Sequence, residues 1–163
     1  MDDFYTEQLI KKQTSSKDTL KKVGLIAVTI LSVFIAFMIP VGLILPIVMI
    51  VIDVLVIRSL NVEYEYAFVN GDLDIDKIMN KARRKRMVSV NAEQMELLAP
   101  VGAVELMPYK KVKTYDFTSG NENGKVYALI FSDKGDVRQI LFEPNETIIE
   151  GFFVKEPRKV VRK

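Results

Sequence analysis

From Val23 to Ile57 the chain reads VGLIAVTILSVFIAFMIPVGLILPIVMIVIDVLVI, and between Lys22 and Arg58 the sole ionisable side chain is Asp53. As one straight helix this run would extend roughly 50 Å, against a hydrocarbon core of about 30 Å. It therefore predicts two antiparallel spans of about 17 residues each, at the lower limit for crossing a bilayer. The turn is expected at Pro40-Val41-Gly42, because proline removes a backbone donor and glycine accepts the angles of a reversal. A turn this short is expected at headgroup depth, where water satisfies its backbone. Pro46 then falls in the first turn of the second span, where its missing N–H matters little. The Val, Leu, Ile and Phe residues favour insertion by roughly 0.3–0.6 kcal/mol each, which outweighs one Asp at up to roughly 3.5 kcal/mol.

The flanks set the orientation. Lys17, Lys21 and Lys22 precede the first span, Arg58 follows the second, and the intervening turn has no charge. The positive-inside rule places both termini in the cytoplasm, making this a multi-pass protein of the cell membrane. A secretory signal peptide fits poorly, because the run is too long and no small-residue cleavage site closes it. The arm from Met1 to Lys22 reads as two short helical pieces or as a loosely ordered tail. Its Ser15-Ser16-Lys17-Asp18 resembles a capping box that starts the first span. Phe4, Tyr5, Leu9 and Ile10 form a candidate apolar face.

From Leu60 onward the hydrophobic period changes to two. Glu63-Tyr64-Glu65-Tyr66-Ala67-Phe68-Val69 alternates charged and aromatic positions, as a strand with one buried face does. Asn70-Gly71 follows, a strong hairpin signal, and Asp72-Leu73-Asp74-Ile75-Asp76 alternates again. Further strands are expected at Met87–Val90, Val112–Phe117, Val126–Ser132 and Val137–Phe142, separated by loops rich in Gly, Asn and Asp. Between Asn91 and Lys111 the pattern is ambiguous: Asn91-Ala92-Glu93-Gln94 caps a short helix, or Met95–Ala99 is extended. Pro144-Asn145-Glu146 caps a final helix with Ile148, Ile149, Phe152 and Phe153 on one side, ended by Pro157. Six or seven antiparallel strands followed by one amphipathic helix predict an open barrel or bent sheet plugged by that helix. The expected fold class is thus an α+β membrane protein. It divides into an arm (1–22), a transmembrane hairpin (23–58) and a cytoplasmic β domain (59–163).

Composition removes several chemistries. The 163 residues include no Cys, His or Trp. Disulfides, thiolate chemistry and zinc, haem or iron–sulfur sites of the usual kinds are excluded, and so is any nucleophile activated by an imidazole base. No cofactor and no catalytic residue is expected.

Two spans, the paired strand NVEYEYAFVNGDLDIDKI, the basic strand RRKRMVSV and the closing helix after LFEPNE together resemble the bacterial pleckstrin-homology-like (PH-like) membrane proteins. More narrowly, they resemble a family of small two-span proteins from Gram-positive anaerobes. The resemblance covers nearly the whole chain, and its motifs are structural. It therefore implies a fold and no particular activity.

Two features are candidates for function. Lys81, Arg83, Arg84, Lys85 and Arg86 form a basic cluster. Facing a membrane, each would add roughly 1 kcal/mol of attraction to anionic lipid. The plainer reading, favoured by the local pattern, is a solvated turn whose charges offset Asp72, Asp74 and Asp76. Nucleic acid is not an expected partner, since net charge is only +2 and no reading motif accompanies the cluster. The second candidate is the intramembrane Asp53, a type of residue that often marks ion or proton paths. Its plainer reading is that it lies about one turn from Arg58, close enough to the cytoplasmic face to reach water or to pair with that arginine. The three alternating aspartates lack the glycine-turned loop of a calcium site. The aromatic residues from Tyr64 to Phe142 belong at strand positions in a core. The basic run from Pro157 to Lys163, with Arg158, Lys159, Arg162 and Lys163, reads as a solvated tail, with leaning on the membrane surface as the alternative. The sequence thus predicts a membrane-anchored, cytoplasm-facing binding or regulatory module rather than an enzyme. Its expected partners are anionic lipid, a membrane protein or further copies of itself. The competing class is a small transporter or channel subunit that uses Asp53.

Overall fold

The computed structural model describes residues 4–39 and 42–162. The first element is a strand, β1 (Tyr5–Lys11), followed by helices α1 (Ser16–Ala36) and α2 (Ile44–Ser59). Strands β2 (Val62–Val69), β3 (Asp72–Met79), β4 (Arg83–Asn91) and β5 (Met95–Pro100) come next, then a 3-10 turn (Val104–Tyr109). Strands β6 (Lys113–Asp116), β7 (Tyr127–Asp133) and β8 (Asp136–Phe142) and helix α3 (Glu146–Lys155) complete the chain.

The strands form two four-stranded sheets, ordered β1-β2-β3-β4 and β5-β7-β8-β6, with no closed barrel among the described residues. One expectation changes here: β6 runs parallel to β8 (Lys113 opposite Arg138), so the second sheet is not wholly antiparallel. The core lies between the sheets. Tyr66, Phe68, Leu73, Ile75, Leu98, Leu129, Ile140 and Phe142 are fully buried there, with Ile148 and Phe152 of α3 packed against them. Along β2 the aromatic positions meet three partners in turn: Tyr64 on Phe117, Tyr66 on Phe142 and Phe68 on Phe152. Helix α3 comes so close at Gly151 that an added Cβ would lie 2.2 Å from the Phe68 ring.

Local signals account for several ends. Asn70 and Gly71 both take positive φ (49° and 106°), as the tight β2–β3 turn requires. Ser15 and Asp18 close the capping box of α1, and the Asn145 side chain accepts from the Ile148 N–H to start α3.

The arm is where the structure departs furthest from expectation. Instead of helical pieces it holds β1, paired antiparallel with β2 from Tyr5 opposite Val69 to Lys11 opposite Glu63. Tyr5 and Leu9 are exposed, whereas Phe4 and Ile10 pack on the core. The inward positions Thr6 and Gln8 are polar because they meet the β8–α3 junction. Gln8 donates to the Glu143 carbonyl (2.9 Å) and accepts from the Asn145 N–H (2.8 Å), while Asn145 donates to Thr6 (3.0 Å). The arm is therefore part of the β domain, and α1–α2 is an insertion between two neighbouring strands. The closing bonds are Lys12 N–H to the Val62 carbonyl (3.0 Å) and Gln13 N–H to the Ser119 carbonyl (2.7 Å).

Candidate functional site

The two candidate features lie at the same end of the molecule. Strand β2 begins at Val62, where α2 has just ended, and Val62 stands opposite Met79 at the end of β3. Met79 in turn faces Arg83 at the start of β4, and the Asn80 N–H donates to the Asn61 carbonyl (2.9 Å). The tight turn needs positive φ at Asn80 (52°) and Lys81 (55°). The basic cluster thus starts at the edge of the sheet from which the helix pair emerges. Only Lys81 lies in the turn. Arg83 to Arg86 belong to β4 itself, all exposed, which places them on a sheet rather than in the inter-strand turn expected.

Within the cluster the five cations divide into two groups. Arg84 pairs with Glu65 (2.5 Å) and lies 3.8 Å from Asp76. Arg86 pairs with Asp74 (2.7 Å) and also with Asp76. Asp76 is buried, so its charge is tolerable only because Arg86 meets it. The hydrogen bond to Asp76 is also the main cause holding the Arg86 guanidinium above its ordinary value. Among the described residues Lys81, Arg83 and Lys85 have no carboxylate partner. Lys85 instead stands opposite Lys77, a like-charged neighbour across β3 and β4. The compensation expected from Asp72, Asp74 and Asp76 therefore reaches two arginines and leaves three cations unmatched. Asp72 is engaged elsewhere, accepting from the Asn91 side-chain amide.

Helices α1 and α2 lie side by side. Their facing positions recur at three- and four-residue steps: Leu25, Thr29, Ser32 and Ala36 on α1, and Pro46, Met49, Asp53 and Val56 on α2. Thr29 donates to Asp53 Oδ2 (2.7 Å), and Ser32 donates to the Thr29 carbonyl (2.6 Å). Asp53 is buried in this seam rather than paired with Arg58, and its Oδ1 has no hydrogen-bond partner. Beyond Ser32 and Asp53 no hydrogen-bonding side chain continues toward the turn, since Val33 to Ile52 are all apolar, Pro, Gly or Met. Among the described residues one helix, α1, is long and apolar enough to cross a membrane. Of the expected turn, Gly42 is described, whereas Pro40 and Val41 lie outside the described residues.

Two further features escaped the sequence reading. A groove of about 490 Å³ lies between α3 and the start of β7, lined by Lys125, Tyr127, Asn145, Glu146, Ile149 and Arg162. The basic C-terminal run is no free tail. Val160 bridges to Leu98, the Leu98 N–H donates to the Lys159 carbonyl (2.7 Å), and Arg162 stacks over Phe153 at 3.5 Å.

The folding unit is thus two sheets with a closing helix, into which a helix pair has been set. Comparison with curated proteins and with solved structures finds no match. A family described as "Bacterial PH-like domain (DUF6106)" matches residues 2–162, taking in β1 and the helix pair as well as the β domain, and the chain belongs to it.

Proposed function

We propose that this protein is a membrane-anchored binding module in which the helix pair holds a PH-like domain against an anionic membrane surface on the cytoplasmic side. One observation carries the anchor: the helix pair is inside out relative to the domain. Its seam holds Thr29, Ser32 and Asp53, while Ile30, Leu31, Phe34, Ile47, Ile50 and Leu55 are 52–67% exposed. In water that distribution would leave far more contiguous apolar surface than soluble monomers carry. In lipid it is the ordinary arrangement, with small and polar residues between helices and aliphatic residues outside.

The β1–β2 pairing adds a topological condition. Both ends of the inserted pair are hydrogen-bonded to one sheet edge, so they must lie on one side of any membrane. An odd number of crossings is ruled out, leaving two or none. Lys17, Lys21, Lys22 and Arg58 flank the pair at that side, which by the positive-inside rule is cytoplasmic. Lys81, Arg83 and Lys85 share this end and, among the described residues, have no carboxylate to neutralise them, so they are the residues assigned to headgroups. Arg84 and Arg86 serve the fold. The domain acts by position, since tethering raises its effective concentration toward other membrane-bound molecules. An ion path through Asp53 has less support, because the carboxylate is sealed in the seam and no polar side chain continues from it.

The test needs a soluble form that keeps β1. Replacing residues 15–59 by a short Gly–Ser linker does so, because Lys12 and Val62 already sit side by side, joined by the bond from the Lys12 N–H to the Val62 carbonyl. Vesicle co-sedimentation of this form should rise with anionic lipid content. The K81Q/R83Q/K85Q triple variant should bind about 100-fold more weakly, three charges at about 1 kcal/mol each. No binding at low salt by a linker form with a native circular dichroism spectrum would defeat the headgroup reading.

A further inference from the structure

We infer that the helix pair is a re-entrant wedge whose turn rests among lipid acyl chains, so that no residue of the pair reaches the aqueous phase on the far side. This rests on the proposed membrane anchor and deepens it by choosing between two crossings and none.

Charge and polarity are confined to one end of the pair. Lys17, Lys21, Lys22 and Arg58 stand at the domain end. At the other end the sequence FMIPVGLILPI has no charge, no Ser, Thr, Asn or Gln, and neither Tyr nor Trp to lie at an interface. Among the described large hydrophobic residues of the pair, the two most exposed stand there, Phe37 at 83% and Met38 at 86%, with Leu43 at 65% beside them. A turn delivered to far-side water would hydrate those side chains and gain no polar contact in exchange. One left in hydrocarbon keeps them in their preferred solvent.

Length agrees. From Val23 to Ala36, where α1 ends, a helical rise gives about 21 Å, and from Ile44 to Ile57 also about 21 Å, against a hydrocarbon core of about 30 Å. With Lys22 and Arg58 held at the near headgroups, the turn ends short of the far ones. Thinning the bilayer to bring it out would cost fractions of a kcal/mol per ångström of mismatch, with nothing at the tip to offset that cost.

The objection to a turn in hydrocarbon is its unsatisfied backbone. This turn answers several of its own donors. Met38 N–H donates to the Ile35 carbonyl (3.0 Å), Gly42 N–H to the Ile39 carbonyl (2.9 Å) and Leu45 N–H to the Gly42 carbonyl (3.1 Å). Pro40 has no N–H to satisfy. Gly42 lets the reversal close tightly, since a Cβ there would sit 2.6 Å from Ala36 Cα.

The chain has no cysteine, so single cysteines can be read without background. The full chain would carry M38C or L43C at the tip, or K21C at the base, in membrane vesicles treated with a membrane-impermeant maleimide. The thiolate is the reacting species and does not form in hydrocarbon. Both tip variants should label more than an order of magnitude more slowly than K21C from either side, and should reach its rate after detergent is added. Labelling of M38C and L43C from the side opposite K21C, at the base rate, would overturn the wedge in favour of two crossings. Fast labelling of all three from one side, with release of the protein by alkaline washing, would mean that the anchor reading itself had failed.

Discussion

The helix pair and the β domain of one chain apply the same physics with opposite signs. In the domain the fully buried positions are Tyr66, Phe68, Leu73, Ile75 and Phe142, and the outer side of β3 and β4 carries Asp74, Arg84 and Arg86, with the buried Asp76 held beneath the two arginines. In the helix pair the buried positions are Ser32, Ala36, Pro46 and Asp53, and the outside is Ile, Leu, Val and Phe. Burial places a side chain away from the surrounding solvent, so the identity of the buried residues reports what that solvent is. A polar seam beneath an aliphatic exterior is the contrast on which the proposed membrane anchor rests.

The sharpest way to break this comparison is to truncate one large residue in each region. Phe152 is fully buried against Phe68, and Phe152→Ala should destabilise the domain by about 3–5 kcal/mol through lost transfer energy and the cavity left behind. Leu31 is 59% exposed on α1, so Leu31→Ala removes no packed protein contact of comparable size. Denaturation of the full chain in detergent, followed by near-ultraviolet circular dichroism of the domain tyrosines, should show a large loss for the first and little for the second. Equal losses would mean that Leu31 is covered by protein, and the contrast between the regions would fail.

The two regions also differed in how much of each could be read from residues alone. Strands β2 and β3 were legible because Tyr64, Tyr66, Phe68, Leu73 and Ile75 alternate with charged positions and because Asn70-Gly71 admits few other conformations. The caps at Ser15 and Asn145 were legible for a similar reason: each is a local bond between near neighbours. Strand β1 was hidden, since its inward positions Thr6 and Gln8 are polar and only their distant partners, Glu143 and Asn145, explain why. The site was legible as a set of residues and not as an arrangement. Arg83 to Arg86 are consecutive, and nothing local says which of them meets Asp74, Asp76 or Glu65. Pairing does so, because β2 and β4 flank β3 and the register of β4 shifts between Ile75 and Asp76. For Asp53, sequence distance offered water or Arg58, the neighbour one turn away, whereas the antiparallel packing brings up Thr29.

That arrangement supplies a test of intermediate size. Arg86→Ala would leave the buried Asp76 with only Arg84 at 3.8 Å. A fully buried pair broken in this way loses about 3–5 kcal/mol, and because Arg86 is half exposed the expected loss is about 2 kcal/mol. Lys85→Ala, one residue away on the same strand, should change stability by less than about 0.5 kcal/mol. It should instead weaken binding of the linker form to anionic vesicles. The opposite assignment of the two effects would show that the division between structural arginines and unmatched cations is wrong.

The smallest effect concerns the domain's most buried hydroxyl. Tyr66 donates to the Phe117 carbonyl (2.6 Å) and ties β2 to the residue that follows β6. Burial is the main cause that raises its phenol above the ordinary value of 10.0, opposed in part by the backbone N–H of Glu143. Tyr66→Phe should therefore cost about 1 kcal/mol near neutral pH, the net worth of one hydrogen bond. The sign of the pH dependence follows from the direction of the shift. The folded state holds the proton more tightly than the unfolded chain, so this contribution is complete below pH 10 and declines as pH rises toward the raised value. Wild type should lose stability more steeply than Tyr66→Phe above pH 10, and the gap between them should narrow until the variant is the more stable. Tyr64, whose phenol is also raised by burial, would leave a shallower alkaline slope in the variant. Parallel pH profiles for the two proteins would mean that Tyr66 ionises as freely in the fold as in the unfolded chain, and that the inter-sheet core at this point is wet.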